Sequence, residues 1–204
     1  HPLTGTEFDL IKLDNISAEH LKKVSEDHFR SLIIEDENGK PDFQKTLLNY
    51  WRFGPESPAQ DLNHVWQNLP ADTRIPDHSI WAHLDIVSAF AGAMAADKDG
   101  TPALLSVSFG PVQGFIAEAR STSDLWAGSH LLARIAWEGM KVVCENLGPD
   151  AVLFPNLRGV PLVDVWLRDE MDLPAEKFQG EDWVSTRTDA NPLFAAALPN
   201  RFVA

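Results

Sequence analysis

Apolar residues in the first hundred positions recur every three or four residues, which is the spacing of helices with one buried face. Ser17 and Asp42 precede two such stretches and are predicted N-caps, because their side chains can accept hydrogen bonds from first-turn N–H groups. A short helix is expected to end at Pro70, and the clearest one, from Ile80, is expected to bury one face. The pattern therefore predicts a helical region over residues 1–100.

After residue 100 the pattern alternates between strand-like and helical stretches. The predicted elements are, in order, a buried strand at 104–109, a helix from Val112 to about 120–122, a longer helix stopped by Gly148, a strand at 151–154, an irregular, solvated acidic region at 167–190, and the start of a strand at Phe202. This order predicts an α+β fold, compatible with a ferredoxin-like palm interrupted by an insertion. We expect two domains, a helical part at 1–100 and a partial palm at 101–204.

The composition of the 204 residues excludes several classes of protein. The single cysteine, Cys144, cannot form a disulfide within the chain, so a small disulfide scaffold is excluded. Its place on an apolar helical face predicts a core residue. Apolar stretches fall short of the ~20 residues needed to span a membrane, and no signal-peptide pattern is visible. We therefore expect a soluble, cytoplasmic protein without membrane contact.

The charge balance bears on partners, because 17 basic and 30 acidic residues give a net charge of −13. Such a surface repels free nucleic acid unless a local basic groove overrides the mean. Direct RNA binding by this chain is therefore not expected. The sequence begins with His1 rather than methionine, and residues 201–204 are typical of a strand just starting. We therefore expect a piece of a longer polypeptide.

The first candidate for chemistry is the segment Gly-Pro-Val-Gln at residues 110–113. A strand-to-helix turn presents free backbone N–H groups, which suit a phosphate or the edge of a nucleobase. The lysine of a GxxxxGK[ST] motif is missing, so the usual contact to a β- or γ-phosphate is missing too. A tight turn whose glycines serve packing is the alternative, and the residues alone favour it.

A second candidate lies at the start of the longer predicted helix. Ser123 and Asp124 are its predicted caps, and the small residues Gly128 and Ser129 would allow close approach of a ligand or a neighbouring element. Capping explains most of this segment. His130 has no cysteine or histidine partner at ligand spacing, so we expect no metal there.

A third candidate is the cluster of His78, His83 and Asp85, which suggests a metal-dependent phosphohydrolase. The two histidines lie five residues apart, about 140° around a helix, whereas paired helical ligands normally lie four apart. We instead expect Asp77 to cap the helix and the imidazoles to be buried and hydrogen-bonded. No Gly-x-Ser-x-Gly elbow and no Gly-Gly-Asp-Asp hairpin occurs, so no catalytic residue is predicted.

Seven short motifs follow one another along the chain. They are HPLTG (1–5), IPDHSIW (75–81) with HL (83–84), FGPVQ (109–113) with FI (115–116), DLWAGS (124–129), GPD (148–150), PNLRG (155–159) and LPNRF (198–202). This series resembles the large polymerase/cyclase-like subunit of type III-B CRISPR RNA-guided effector complexes, the large subunit of the Cmr module. The resemblance covers essentially the whole chain, patchily before residue 74 and densely from 74 to 166.

The resemblance implies an activity that composition cannot show. In this family an N-terminal HD nuclease domain precedes two adenylyl-cyclase-like palms, which bind ATP with Mg²⁺ or Mn²⁺ and make cyclic oligoadenylates once target RNA is bound. The chain would then hold the connection after the nuclease motif and the start of the first, noncatalytic palm. Both catalytic motifs are missing from it. The fragment alone is therefore expected to be inactive and to hold no cofactor tightly.

The resemblance also implies a site and partners. The turn faces the nucleotide in the family arrangement, and the start of the next helix lies close by, so the expected nucleotide-binding residues are Gly110, Pro111, Val112, Gln113, Asp124 and Ser129. The expected partners are the other subunits of the complex and, through the complex, guide RNA and target RNA. Two alternatives stay open: an architectural segment that docks a neighbouring subunit, and a remnant of a metal-dependent phosphohydrolase.

Overall fold

The computed structural model describes residues 17–74 and 77–204. These residues form two compact units, one ending at Asp85 and one running from Ile86 to Ala204. The first motif of the series, at residues 1–5, and Ile75 and Pro76 of the second lie outside the described residues. The domain boundary expected at residue 100 stays a prediction.

The first unit is helical, and its predicted caps are confirmed. Its helices are α1 (Ala18–Ser31), α2 (Phe43–Phe53), α3 (Asn63–Asn68) and the first part of α4 (Ile80–Ala96). The Ser17 hydroxyl accepts from the N–H of His20 at 3.1 Å. The Asp42 carboxylate accepts from the N–H of Lys45 at 3.0 Å. Both helices therefore begin where the sequence predicts.

Aromatic side chains build the core of the first unit. Trp66 and Trp81 pack together with ring centroids 5.7 Å apart, beside the buried Leu62. The Trp81 indole N–H donates to the carbonyl of Trp66 at 2.8 Å, and the Trp66 indole N–H donates to the carbonyl of Gly54 at 2.9 Å. Both of these buried rings therefore also satisfy their polar atoms.

The face of α4 that the sequence predicts to be buried is largely exposed. Trp81 is the buried residue of this helix, whereas Val87, Phe90 and Met94 are all more than a third exposed. The apolar residues of α4 are spread around its circumference, so no single face is distinguished for packing. The prediction of the helix is confirmed, and the prediction of its burial is wrong.

The second unit combines helices with a small sheet. Its elements are the end of α4, β1 (Ser106–Ser108), α5 (Val112–Ala117), α6 (Thr122–Leu147), α7 (Pro161–Asp169), α8 (Asp182–Ser185) and β2 (Arg201–Val203), with short 3₁₀ turns between several of them. The two strands are antiparallel, and Val107 pairs with Phe202. The chain is therefore α+β, mostly helical, with a two-stranded sheet among its described residues. None of the described helices is both long enough and apolar enough to cross a membrane.

Two predicted strands differ from the structure. The run 104–109 is regular strand for three residues and is not buried, since Leu104 and Leu105 are more than half exposed. The predicted strand at 151–154 begins as a 3₁₀ turn and contributes one antiparallel bridge, from Phe154 to Val203. Apolar β-prone residues favour an extended chain, but the neighbours that cover a strand are not encoded in the run itself.

The core of the second unit lies between α6, α7 and the segment that follows. Trp137 of α6 meets Trp166 of α7 edge to face, with centroids 5.8 Å apart. Phe178 and Trp183 are also buried, so the region 167–190 is not the solvated loop that was predicted. The buried apolar residues of this region are widely spaced among acidic residues and follow neither a helical nor a strand period. Their burial was therefore not indicated by the sequence pattern.

Candidate functional site

The turn at residues 110–113 begins where β1 ends. The Phe109 N–H donates to the carbonyl of Asn200 at 2.8 Å, and the Asn200 side-chain amide donates to the carbonyl of Phe109 at 2.9 Å. These two bonds fix the chain just before Gly110, which a cis peptide bond joins to Pro111. A Cβ atom placed on Gly110 would meet no atom within 4 Å, so the space beside the turn is open.

The helix after this turn is shorter than predicted. α5 ends at Ala117, whereas the sequence placed its end near 120–122. Only six residues align their peptide dipoles, so the helix-terminus argument for phosphate binding is weaker than the sequence indicated. Pro111 and Gln113 are exposed and Val112 is partly buried. This part of the site therefore depends on the exposed backbone and side chains of the turn rather than on the dipole of α5.

The cap of α6 differs by two or three residues from the prediction. Ser121, rather than Ser123 or Asp124, accepts from the N–H of Asp124, at 3.1 Å. The Asp124 carboxylate accepts in turn from the N–H of Arg120 at 3.1 Å. This arrangement resembles a capping box, except that the N–H bonded by Asp124 belongs to the residue before the N-cap. The Ser129 hydroxyl donates to the carbonyl of Leu125 at 2.9 Å. Asp124 and Ser129 are therefore both engaged with local backbone.

Gly128 explains how α5 reaches α6. A Cβ atom on this residue would lie 3.2 Å from the Phe115 ring and 3.4 Å from the Ile116 side chain. Close approach therefore needs glycine at this position. The packing brings the helix that follows the turn 110–113 against the first turns of α6, which carry Asp124 and Ser129. Among the described residues, no hydrogen bond joins the turn to either of these two side chains.

Sequence reasoning missed the unusual position of Trp126. It is half exposed, whereas the other six tryptophans, all among the described residues, are at most 7% exposed. Its ring stacks on that of His130, with centroids 5.7 Å apart and planes 10° apart, and Phe194 lies edge-on at 6.5 Å. The Nδ1 atom of His130 is buried without a hydrogen-bond partner among the described residues.

Trp126 and His130 continue a regular apolar stripe along α6. Steps of four and three residues, the spacing of one helix face, connect its members, here called the α6 stripe: Trp126, His130, Ala133, Trp137, Met140 and Cys144. The last four members are buried, and the first two are not. The helical spacing of these residues is visible in the sequence, but it does not indicate which part of the stripe other elements cover.

The histidine cluster forms a short hydrogen-bonded chain. Nδ1 of His78 lies 2.7 Å from the Asp77 carboxylate, and Nε2 of His78 lies 3.3 Å from Nδ1 of His83. The bond to His78 holds the pKa of Asp77 below its usual value. Asp77 is therefore not the cap, and Ser79 takes that role by accepting from the N–H of Ala82. The imidazoles are hydrogen-bonded as predicted, but only partly buried.

Metal-binding geometry is missing from the described residues, where no group of three or more His, Cys, Asp or Glu side chains is arranged to hold an ion.

Cys144 is buried, as predicted for a core residue. Burial in the apolar face, reinforced by the nearby Asp150 carboxylate, raises the pKa of its thiol to about 12. A thiol in this setting stays neutral and is a poor nucleophile.

Comparison with known proteins decides the family. Residues 104–204, which include both strands, α5, α6 and the candidate turn, match the family described as CRISPR-associated protein Cmr2, N-terminal. Residues 104–204 belong to the Cmr2 family. The match begins just before β1 and includes all six predicted site residues.

Two Cmr2 proteins extend this match beyond the second unit. The Cmr2 subunit of the CRISPR Cmr system of Pyrococcus furiosus is 41% identical over 128 residues, which is 63% of this chain. The Cmr2 subunit of Saccharolobus solfataricus is 29% identical over 151 residues, or 74% of the chain. In both cases the alignment covers 13% of the relative. The chain therefore spans about an eighth of the length of these Cmr2 proteins.

Proposed function

We propose that the chain is the N-terminal region of the large subunit of a type III-B CRISPR effector complex, and that residues 101–204 belong to its first, noncatalytic palm. On this proposal the turn 110–113 forms one wall of an ATP pocket used for cyclic oligoadenylate synthesis. The family match at residues 104–204 carries the proposal, because it includes the strand, the turn and both following helices. The other Cmr subunits, guide RNA and target RNA are the proposed partners.

The geometry of the turn supports a wall of this kind. The space beside Gly110 is open, and Gln113 is exposed at the start of α5. A nucleotide could therefore approach the backbone without displacing a side chain. Asp124 and Ser129 support the pocket indirectly, since their side chains hold the start of α6 through local hydrogen bonds.

The described residues do not fit the metal that nucleotidyl transfer requires. No group of them is arranged to hold Mg²⁺ or Mn²⁺. In the proposed subunit the ion and its ligands belong to the second palm, and no step is assigned to metal ligands in this chain. The role left for these residues is to bind and orient ATP.

The test is a substitution that fills the open space without disturbing the fold. Gly110→Trp in the full-length subunit should weaken ATP binding and lower oligoadenylate output by tenfold or more, because its ring would occupy the proposed pocket. Gln113→Ala should weaken ATP binding by a smaller factor. Isothermal titration with ATP and chromatography of the cyclic products measure both effects.

Gly180→Trp is the matched control. Gly180 also has no atom within 4 Å of its Cβ position, so the same ring enters open space far from the turn in sequence. This variant should bind ATP as the unmodified subunit does. Equal ATP affinity and equal product yield for both tryptophan variants would contradict the proposal.

An architectural role is the second candidate, and exposed side chains on α2 favour it. Phe43 is 83% exposed and Leu47 is 57% exposed, one helical turn apart. Ile33 is also exposed, and the bond from the Ile34 N–H to the Thr46 hydroxyl holds its loop against the same helix. Such a cluster is typical of a protein-binding surface.

Paired substitution of this cluster tests the architectural role. Phe43→Ser with Leu47→Ser should reduce co-purification of the full-length subunit with the other Cmr subunits, and it should leave ATP affinity unchanged. Val142→Ser, at an exposed apolar residue of α6, serves as the control. Normal assembly of the double variant would rule out this surface as a docking site.

A further inference from the structure

The second part of the α6 stripe is buried, whereas its first part is left partly exposed. The stripe is covered from Ala133 to Cys144, where exposure is at most 4%, yet Trp126 on the same face is half exposed. Phe194, which lies edge-on to Trp126, is itself 46% exposed. Trp126, His130 and the neighbouring Phe194 therefore form an open aromatic surface at one end of an otherwise buried stripe.

The open rings are held in place rather than disordered on the surface. Trp126 stacks nearly parallel on His130. The Asn191 side-chain amide donates to the carbonyls of Trp183 and Thr186, which fixes the 3₁₀ turn that carries Phe194. A rigid aromatic surface loses little conformational entropy when another surface covers it.

The position of Trp126 on α6 separates it from the proposed pocket. Gly128, which contacts α5, lies two residues further along the helix, about 200° around its axis. Trp126 therefore points away from the α5 side and toward the side on which Trp137 meets α7. A nucleotide at the turn 110–113 would lie on the other side of α6.

We propose that a segment of the same Cmr2 subunit, outside these 204 residues, packs on Trp126, His130 and Phe194 and completes the α6 stripe. This rests on the proposed function, because about seven eighths of the length of the related Cmr2 proteins lies outside the match. The occupant presents an apolar surface, since the exposed area is aromatic and continues the core.

Acrylamide quenching of tryptophan fluorescence tests the inference in the full-length subunit. The difference between the spectra of the unmodified subunit and of Trp126→Phe isolates the emission of Trp126. We expect that emission to be blue-shifted and protected from quenching in the purified subunit alone, at every protein concentration and without nucleotide. Trp126→Asp should lower the melting temperature of the full-length subunit, because it buries a charge, whereas Val142→Asp, at an exposed α6 residue, should not.

Each other outcome overturns the inference in a distinguishable way. Quenching that falls only after the other Cmr subunits are added identifies a partner protein. Protection that needs ATP identifies a ligand site, and protection that rises with concentration identifies a second copy of the subunit. Full quenching under all conditions means that the surface stays open. None of these results bears on ATP binding at the turn, so the proposed function and this inference can fail separately.

Discussion

The two parts of the α6 stripe have the same spacing and opposite surroundings. Trp137 and Met140 in the second part are at most 2% exposed, and Trp166 of α7 packs against the first of them. Trp126 in the first part keeps half of its surface exposed. A periodic apolar face therefore identifies where packing can occur, while the elements that lie opposite decide where it does. The second part holds this unit together, and the first part is available for an interaction.

Replacing one tryptophan from each part gives the largest expected contrast. Trp137→Ala should lower the free energy of unfolding of this chain by about 3–5 kcal/mol, because it opens a large cavity in the core. Trp126→Ala should change it by less than about 1 kcal/mol, since much of that ring is already in water. Chemical denaturation followed by circular dichroism measures both. Similar losses for the two variants would show that the two parts do not differ.

Gly139 tests the opposite side of the buried part of α6. Its Cβ position lies 3.0 Å from the Phe109 ring and 3.4 Å from the Phe202 ring, so the sheet packs directly on the helix backbone. Gly139→Val should destabilise the chain by about 1–3 kcal/mol through overpacking. Gly92→Val, in open space on α4, is the control and should have little effect. A neutral Gly139→Val would mean that the sheet does not pack closely here.

Cys144 gives a pH test of burial at the end of the stripe. Its folded pKa of about 12 lies above the 9.0 of an unperturbed thiol, so the neutral thiol favours the folded state. The stabilisation is complete below pH 9 and is lost as the pH rises toward 12; at pH 10 the loss is on the order of 1 kcal/mol. Cys144→Ala should lack this part of the pH dependence. Identical profiles for the two proteins between pH 8 and 11 would contradict burial of the thiol.

The smallest effect is expected from an ion pair beside the buried part of the stripe. Lys141 of α6 bonds to the carboxylate of Glu170, just after α7. The glutamate is half exposed, so Glu170→Gln should cost less than about 1 kcal/mol, and 1 M salt should abolish the difference. A larger cost that persists in salt would show that electrostatics, rather than packing, joins these two helices.

The comparison also explains which predictions from the sequence succeeded. The caps Ser17 and Asp42 and the stop of α6 at Gly148 are local, because each depends on residues within one helical turn, and they are confirmed. The burial of α4 and of the run 104–109 depends on distant elements, and those predictions are wrong. Local hydrogen bonding is encoded in short segments, whereas coverage is a property of the assembled chain.

The candidate site follows the same division. The strand-to-helix turn at Gly110 could be predicted from its glycine and proline, and it lies where expected. The capping residue Ser121 was missed because four polar residues in succession, 121–124, can each cap a helix, and only backbone geometry selects one. The exposure of Trp126 could not be predicted, since it depends on which surfaces lie opposite.

Photoaffinity labelling of the full-length subunit tests the central claim most directly. ATP analogues that carry a photoreactive group on the adenine or on the terminal phosphate would be cross-linked with and without excess ATP, and the labelled peptides would be mapped by mass spectrometry. The proposal predicts labelling within residues 110–117 that excess ATP prevents. Specific labelling that falls wholly outside residues 104–204 would contradict it.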